Sequence, residues 1–519
     1  MGQKVHIDPM TRIEGHLTVV LEMEGGKVVD AWSEGEMFRG FENILQGRDP
    51  RDAHHITQRI CGVCPVPHGV ASVKALDRAF GVTPPTNARI IRNLMQAGNM
   101  LQSHILHFYH LAALDYVDIT AVLEYTGSDP ALQKLKAWAA GEVARGKSHP
   151  VAPFLPRFKG DYIQDRELNI GAIAHYIKAL ELTRTGHEMA AIWGGKMPHV
   201  TSLVPGGVTE VPTAEKIAAY LYRLRRFQEF IDNVYLPDVI EVAKAYSEYF
   251  SIGAGPKNFL GYGIYELTND GSETLHIPGA VIDGRYAPLD TGKIREYVEH
   301  SKYSSPSGLH PSEGQTAAVP EKEGAYSWVK APRYDDQVME VGALARMVVT
   351  HLSGRRPEVS QLVTDTLARF DADVSALFSV LGRHAARPLE LKWVAQQVEK
   401  WLLELRPGEP VWTECEVPDE GEGYGLTEAQ RGALGHWIRI QGGKIDNYQC
   451  VVPSTWNMSP RDHKGRRGAV EEALIGTPIA DPENPIEACR VVRSFDPCLA
   501  CGIHVIDPHT NEIHKFRVA

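Results

Sequence analysis

A chain of 519 residues with 43% hydrophobic content can bury a large core, and length alone allows about three domains, although chains with long helices often form one body. A formal net charge of −11 and an isoelectric point near 6.1 exclude the basic footprint of a nucleic-acid binder and a polybasic membrane anchor. Seven cysteines are too few, and odd in number, for a disulfide framework, and no apolar run is long enough to span a bilayer.

Residues 1–10 carry no apolar signal core, so the chain is expected to stay in the cytoplasm or to be exported folded with a partner that carries the signal. Residues 16–24 and 27–32 alternate polar and apolar side chains around Gly25-Gly26, which suits a two-residue hairpin turn. Residues 87–117 then place Ile90, Leu94, Leu101, Ile105, Leu106 and Leu114 at helical spacing with no internal proline. Similar patterns over 168–193, 213–250, 357–381 and 389–405 predict a mostly helical middle, with a kink at Pro237. The Gly- and Pro-rich stretches 197–212 and 304–320 read as ordered crossings or surface loops. Residues 436–441 and 444–452 around Gly442-Gly443 repeat the hairpin pattern near the other end. No repeat, low-complexity tail or linker divides the chain.

The chemistry lies in two Cys-x-x-Cys pairs, Cys61 with Cys64 and Cys498 with Cys501, a spacing that lets both thiolates turn toward one soft metal. A zinc ribbon uses two such pairs within one small local fold, whereas here more than four hundred positions separate them. A site closed by both ends of a long chain points to a centre buried in a large protein. A structural zinc site and a redox dithiol are the alternatives from the cysteines alone.

RICGVC followed by His68, and DPCLACGIH at 496–504, stand in order with RIEGH at 12–16, KAPRY at 330–334, RGALGHW at 431–437 and VVPSTWN at 451–457. Together these motifs resemble the large, catalytic subunits of nickel-iron hydrogenases of the respiratory uptake type, along nearly the whole chain. The resemblance implies a mainly α fold with peripheral β (α+β), a long-helix bundle with β-hairpins near both chain ends. It also implies one domain over residues 1–504, its site built from both ends and lying near a subunit interface. The activity implied is reversible heterolytic oxidation of H2, which needs a Lewis-acidic, hydride-accepting centre and a base in contact range. Thiolates serve both needs.

By the same resemblance, Cys61 and Cys498 would be terminal nickel ligands, while Cys64 and Cys501 would bridge nickel to an iron carrying carbon monoxide and cyanide. Cys498, a selenocysteine in some relatives, would be the first proton acceptor. Glu14 would relay that proton, given hydrogen-bond reach and a pKa that burial can raise; its plain alternative is an ion pair with Arg12. His68 would donate to a bridging sulfur and tune the metal. Arg431 would overhang the open metal positions and hold one cyanide, Ser454 would hold the other, and Asp496 belongs to the same canopy. Glu42, the backbone carbonyl of Cys450 and His504 would hold magnesium with several waters. Two positions depart from the pattern, Ser103 where many relatives carry Asp and Gln430 where they carry Pro, so the canopy around Arg431 is expected to be less acidic.

The resemblance further implies that residues 505–519 are an extension removed after His504 by a maturation endopeptidase, once nickel and iron insertion proteins have acted. Too few cysteines are left over for an iron-sulfur cluster, so electrons would pass to an iron-sulfur small subunit in a heterodimer, and in this branch onward to a membrane cytochrome b. The expected location is the periplasm, membrane-associated through partners, after a cytoplasmic stage. A hydrogen sensor on the same fold and a zinc-stabilised structural protein are the rival functions; Val63, where sensors carry bulkier side chains, and the C-terminal extension favour the enzyme.

Overall fold

The computed structural model describes residues 3–145, 160–304 and 306–502. Near the N-terminus β1 (Gln3–Ile7), β2 (Leu17–Glu24) and β3 (Lys27–Gly35) form an antiparallel sheet in that order. The predicted hairpin is present, with left-handed Gly25 and Gly26 at its turn, and β1 is an added strand. Helices follow, of which the most central to the site are α1 (Pro65–Ala79), α2 (Thr86–Leu106) and α3 (Arg166–Gly194). Almost every residue of α2 is buried, including Asn93, Asn99, Gln102 and Ser103, as expected of a helix surrounded on all sides.

The helix expected over 87–117 leaves regular α geometry after Leu106, passing through a π-helical stretch at His107–Ala112 and a 3-10 turn at Ala113–Asp115. The carbonyl of Leu111, within the π-helical stretch, accepts from Arg12 Nη1 at 2.7 Å. The stretch 213–250 likewise divides into α4 (Ala214–Phe230), a π turn at Ile231–Tyr235 and α5 (Leu236–Ala245). Pro237 lies in the first turn of α5, where its missing N–H follows an already re-registered ladder.

After a region of short strands comes α6 (Ala343–Leu352), which the periodicity did not single out. The patterns over 357–381 and 389–405 fall differently from expectation. The first helix stops at Ala368, and α7 (Val380–Glu404) runs unbroken through Pro388. Ser379 starts α7 by accepting from Gly382 N at 3.0 Å, so a polar cap defines the boundary and buried packing carries the helix past the proline.

The second hairpin belongs to a three-stranded meander, β4 (Glu420–Ala429), β5 (Gly432–Gln441) and β6 (Lys444–Val451). Three alternate glycines make β4 a poor strand by propensity. Their purpose is close approach: a Cβ at Gly423 would lie 2.1 Å from Ala75 O, and one at Gly425 would lie 1.9 Å from Ala71 O. β4 therefore presses its backbone against α1, which fixes the start of α1, at Cys64, relative to the β4–β5 turn. Near the C-terminus, α8 (Ile486–Ser494) and the last described turn, α9 (Leu499–Gly502), bring the chain back to the N-terminal segment.

Candidate metal centre

Cys61 follows a short 3-10 turn in extended conformation, and Cys64 is the N-cap of α1, with Pro65 just inside the helix. Cys498 arrives from the other end of the chain after left-handed Asp496 and Pro497, and its N–H donates to Ser454 Oγ at 2.9 Å. The Sγ atoms of Cys61, Cys64 and Cys498 all lie within 4.8 Å of one another, and Cys61 and Cys498 are 3.4 Å apart. That exceeds a disulfide bond and matches thiolates sharing one ion at about 2.3 Å, which stand roughly 3.3–4.6 Å apart. The three cysteines are at most 2% exposed. Cys501 follows in α9 with its side chain outside the described residues, as are His504 and residues 505–519.

Glu14 pairs with this terminus as a strand would. Its N–H donates to Pro497 O at 3.2 Å, and its carbonyl accepts from Leu499 N at 2.7 Å. The pairing aims the carboxylate at the sulfur: Glu14 Oε2 accepts from Cys498 Sγ at 3.1 Å and from Ala500 N at 3.0 Å. Burial and the neighbouring Cys61 thiolate push the Glu14 pKa up, against the hydrogen bonds and Arg431. The plain alternative of an Arg12–Glu14 ion pair is not what forms, because Arg12 turns to Asp115 and Leu111 O.

Arg431 occupies, with Gln430, the two-residue turn between β4 and β5. Its Nη2 donates to Asp496 Oδ1 at 3.0 Å, while Nε and Nη1 are buried with no partner among the described residues. Burial opposes the charge, but Asp496 and the three thiolates outweigh it and hold the pKa well above the usual arginine value. A permanently charged fork with two idle donors thus stands among thiolates, a setting for small anionic ligands.

A family model described as nickel-dependent hydrogenase matches residues 39–504, and one described as HoxL-like matches residues 4–33. The chain belongs to the nickel-dependent hydrogenase family. It is 45% identical to the periplasmic [NiFeSe] hydrogenase large subunit of Desulfomicrobium baculatum, over 99% of this chain and 97% of that one. It is 39% identical to the uptake hydrogenase large subunit of Bradyrhizobium diazoefficiens, over 100% and 98%. The solved structure of H2-activated D. baculatum [NiFeSe]-hydrogenase shares the fold at a TM-score of 0.87 and 46% identity, covering 97% of this chain and 100% of that one. This large subunit is therefore an oxidoreductase acting on H2, with nickel and iron as its metals and a small subunit as its partner.

The remaining expected residues are placed unevenly around the hydrogenase centre. His68, in the first turn of α1, meets His436 Nε2 through Nδ1 at 3.2 Å; His436 Nδ1 lies 2.8 Å from Tyr448 OH, which stands 3.0 Å from Ser72 Oγ. His68 Nε2 is buried without a partner among the described residues, and burial takes the His68 pKa down to about 4. A neutral ring donates from Nε2 to a metal-bound sulfur when Nδ1 accepts from His436 Nε2 and Tyr448 OH donates to His436 Nδ1. Three soft thiolates together with the idle donors of Arg431 and His68 fit a nickel-iron group with anionic ligands.

Of the expected magnesium ligands, Glu42 and Cys450 stand together and His504 lies outside the described residues. Glu42 Oε1 accepts from the Cys450 N–H at 2.9 Å, and Glu42 Oε2 accepts from the Thr316 hydroxyl. Lys330 Nζ stands 3.4 Å from Glu296 and 3.2 Å from Gln449 in the same pocket. Among the described residues the three cysteines form the one group of metal-binding side chains gathered around a common point. At the two positions expected to depart from the family pattern, Ser103 Oγ and both amide atoms of Gln430 are buried without partners among the described residues.

Two residues that hold the centre escaped the sequence reading. Arg39 Nη2 donates to both Ile60 O and, at 2.7 Å, Ala500 O, tying the two cysteine segments together. Asp115 binds Arg12 and Arg493, and so joins the segment before Glu14 to the helix before Cys498. Neither has a motif; only its partners, hundreds of positions away, disclose it.

Proposed function

We propose that this subunit splits H2 heterolytically in the thiolate pocket and that the proton leaves through Cys498 and Glu14. The observation that carries this reading is the 3.1 Å contact between Cys498 Sγ and Glu14 Oε2, inside a pocket closed by both ends of the chain. Bound nickel and iron would supply the electron-pair acceptor that cleavage of so weak an acid requires. Cys61, Cys64, Cys498 and Cys501 would hold them, with Cys64 and Cys501 shared with an iron that carries carbon monoxide and cyanide. Cys498 Sγ takes the proton, and Glu14 Oε2, already in hydrogen-bond contact, receives it. Because Cys498 Sγ and Glu14 Oε2 share one hydrogen bond, the proton can pass between them in either direction. Arg431 and Ser454 would hold the cyanides, Asp496 would orient Arg431, and His68 would donate to a bridging sulfur.

For magnesium the proposal extends to Glu42 as its carboxylate, with the Cys450 carbonyl and His504 completing the site. Residues 1–504 would form the mature domain and 505–519 an extension cleaved on maturation. The electrons would pass to iron-sulfur clusters of the small subunit, since Cys415, Cys450 and Cys489 do not cluster. Relatives named periplasmic, uptake and quinone-reactive support a periplasmic enzyme docked on a membrane cytochrome b. No described helix is long and apolar enough to cross a membrane, so that docking would run through partners. Metal analysis joined to infrared spectroscopy tests the reading: nickel and iron near one each per chain, with carbon monoxide and cyanide stretches, are expected. Zinc, or iron without those stretches, would overturn it.

A further inference from the structure

The turn that carries Arg431 is gripped from behind by a second buried arginine. Arg346 stands in the first turn of α6, and its guanidinium is closed off from solvent. Nη1 donates to Ala429 O at 2.9 Å and Nη2 to Gln430 O at 3.1 Å, the two carbonyls immediately before Arg431. The other donors meet carboxylates. Nε and Nη2 span Glu390 at 2.6 and 2.8 Å, and Nη1 reaches Glu428 at 3.0 Å. These carboxylates are fixed in turn, Glu390 by His104 Nε2 at 2.8 Å and Glu428 by Tyr262 N at 2.6 Å. The turn also meets the residue that caps α6: a Cβ at Gly432 would lie 2.6 Å from Gly342 N, and one at Gly342 would lie 3.3 Å from Arg431 O.

Such a network is a poor source of net stability, because desolvating the charges consumes most of what their attraction returns. Its distinctive product is geometry. Five N–H donors fixed in one plane hold two successive carbonyls and a bidentate carboxylate at once, which a lysine with three donors on one nitrogen cannot reproduce. The held peptide units lead directly into Arg431, which carries the two idle donors and interacts electrostatically with the three thiolates.

We propose that Arg346 is a positioning residue for H2 activation, setting where the Arg431 guanidinium stands over the thiolate pocket. This rests on the role of Arg431 proposed above. The test compares Arg346→Lys with Arg431→Lys in the assembled holoenzyme, by nickel and iron content, the cyanide stretching bands and turnover. R346K should keep both metals, displace the cyanide bands in the same sense as R431K, and lose up to about 100-fold in turnover, as a misplacement of ~1 Å can cost. Wild-type bands and turnover in R346K, with displaced bands in R431K, would overturn the positioning role. Unmoved bands in R431K would instead remove the role of Arg431 itself. If R346K does not assemble, Glu390→Gln decides, since it keeps shape but removes the charge that spans Nε and Nη2: displaced bands support the proposal and unmoved bands overturn it.

Discussion

Replacing Asp115 by Asn should loosen the junction on which the Glu14–Cys498 contact depends. Asp115 is 1% exposed; Arg493 Nη1 reaches its two carboxylate oxygens at 2.7 and 2.8 Å, and Arg12 Nη2 bonds the first of them. Arg493 also donates to Thr11 O at 3.0 Å, so one carboxylate ties residues 11 and 12 to α8. The Asn variant leaves the buried Arg493 and the partly buried Arg12 guanidinium without a counter-charge, which costs about 3–5 kcal/mol. An unfolding entropy of about 2.1 cal/mol/K per residue gives about 1.1 kcal/mol/K for 519 residues, so the melting temperature should fall by roughly 3–5 °C. Burial raises the pKa of Asp115, but Arg12 and Arg493 outweigh it and hold the carboxyl below its ordinary value. A lowered carboxyl pKa stabilises the fold above the unfolded value, about 3.9, and that stability fades as pH falls through the folded value. Calorimetry of wild type and D115N should therefore show a constant gap from pH 7 to pH 5 that closes at more acid pH. A gap under about 1 °C at pH 7, or one that widens with acid, would refute the reasoning.

Glu14→Gln keeps the shape that meets Ala500 N but cannot carry a proton. Nickel content should stay normal while exchange of H2 with D2O slows by about 10²–10⁴-fold, and an unchanged exchange rate would take Glu14 out of the relay. Gly15→Ala attacks the same contact through the backbone. Gly15 has φ +82°, and a Cβ there would lie 2.6 Å from Ala500 N, so the variant must push the C-terminal segment away from Glu14. It should lose about 1–2 kcal/mol of stability from left-handed strain alone and also slow the exchange; a variant that melts and exchanges like wild type would show that the two ends are not pressed together.

Much of the site was legible because its chemistry is written in residue types at fixed spacing. Cys61, Cys64 and Cys498 converge as their Cys-x-x-Cys pairs announced, and Glu14 reaches the sulfur as RIEGH implied. The Gly-Gly hairpins were readable because two left-handed residues in succession have few other uses. Strand β4 was not, since glycines that admit the backbone of α1 look like breaks in a strand. The interruption after Leu106 was hidden for a different reason: the apolar spacing continues past it to Leu114 without a proline. Asp115, Arg39 and Arg346 were hidden because an isolated charge reads as a solvated surface group until its partners are known.

The parallel bridge between Glu14 and Cys498 has a consequence for the timing of synthesis. The two residues are 484 positions apart. At about 5–20 residues per second, the ribosome delivers the sulfur roughly 25–100 s after the carboxylate has emerged. Throughout that interval Glu14, Cys61 and Cys64 are without Cys498. The pocket therefore cannot be completed until synthesis is nearly over, and the metal insertion and removal of residues 505–519 proposed above would follow it.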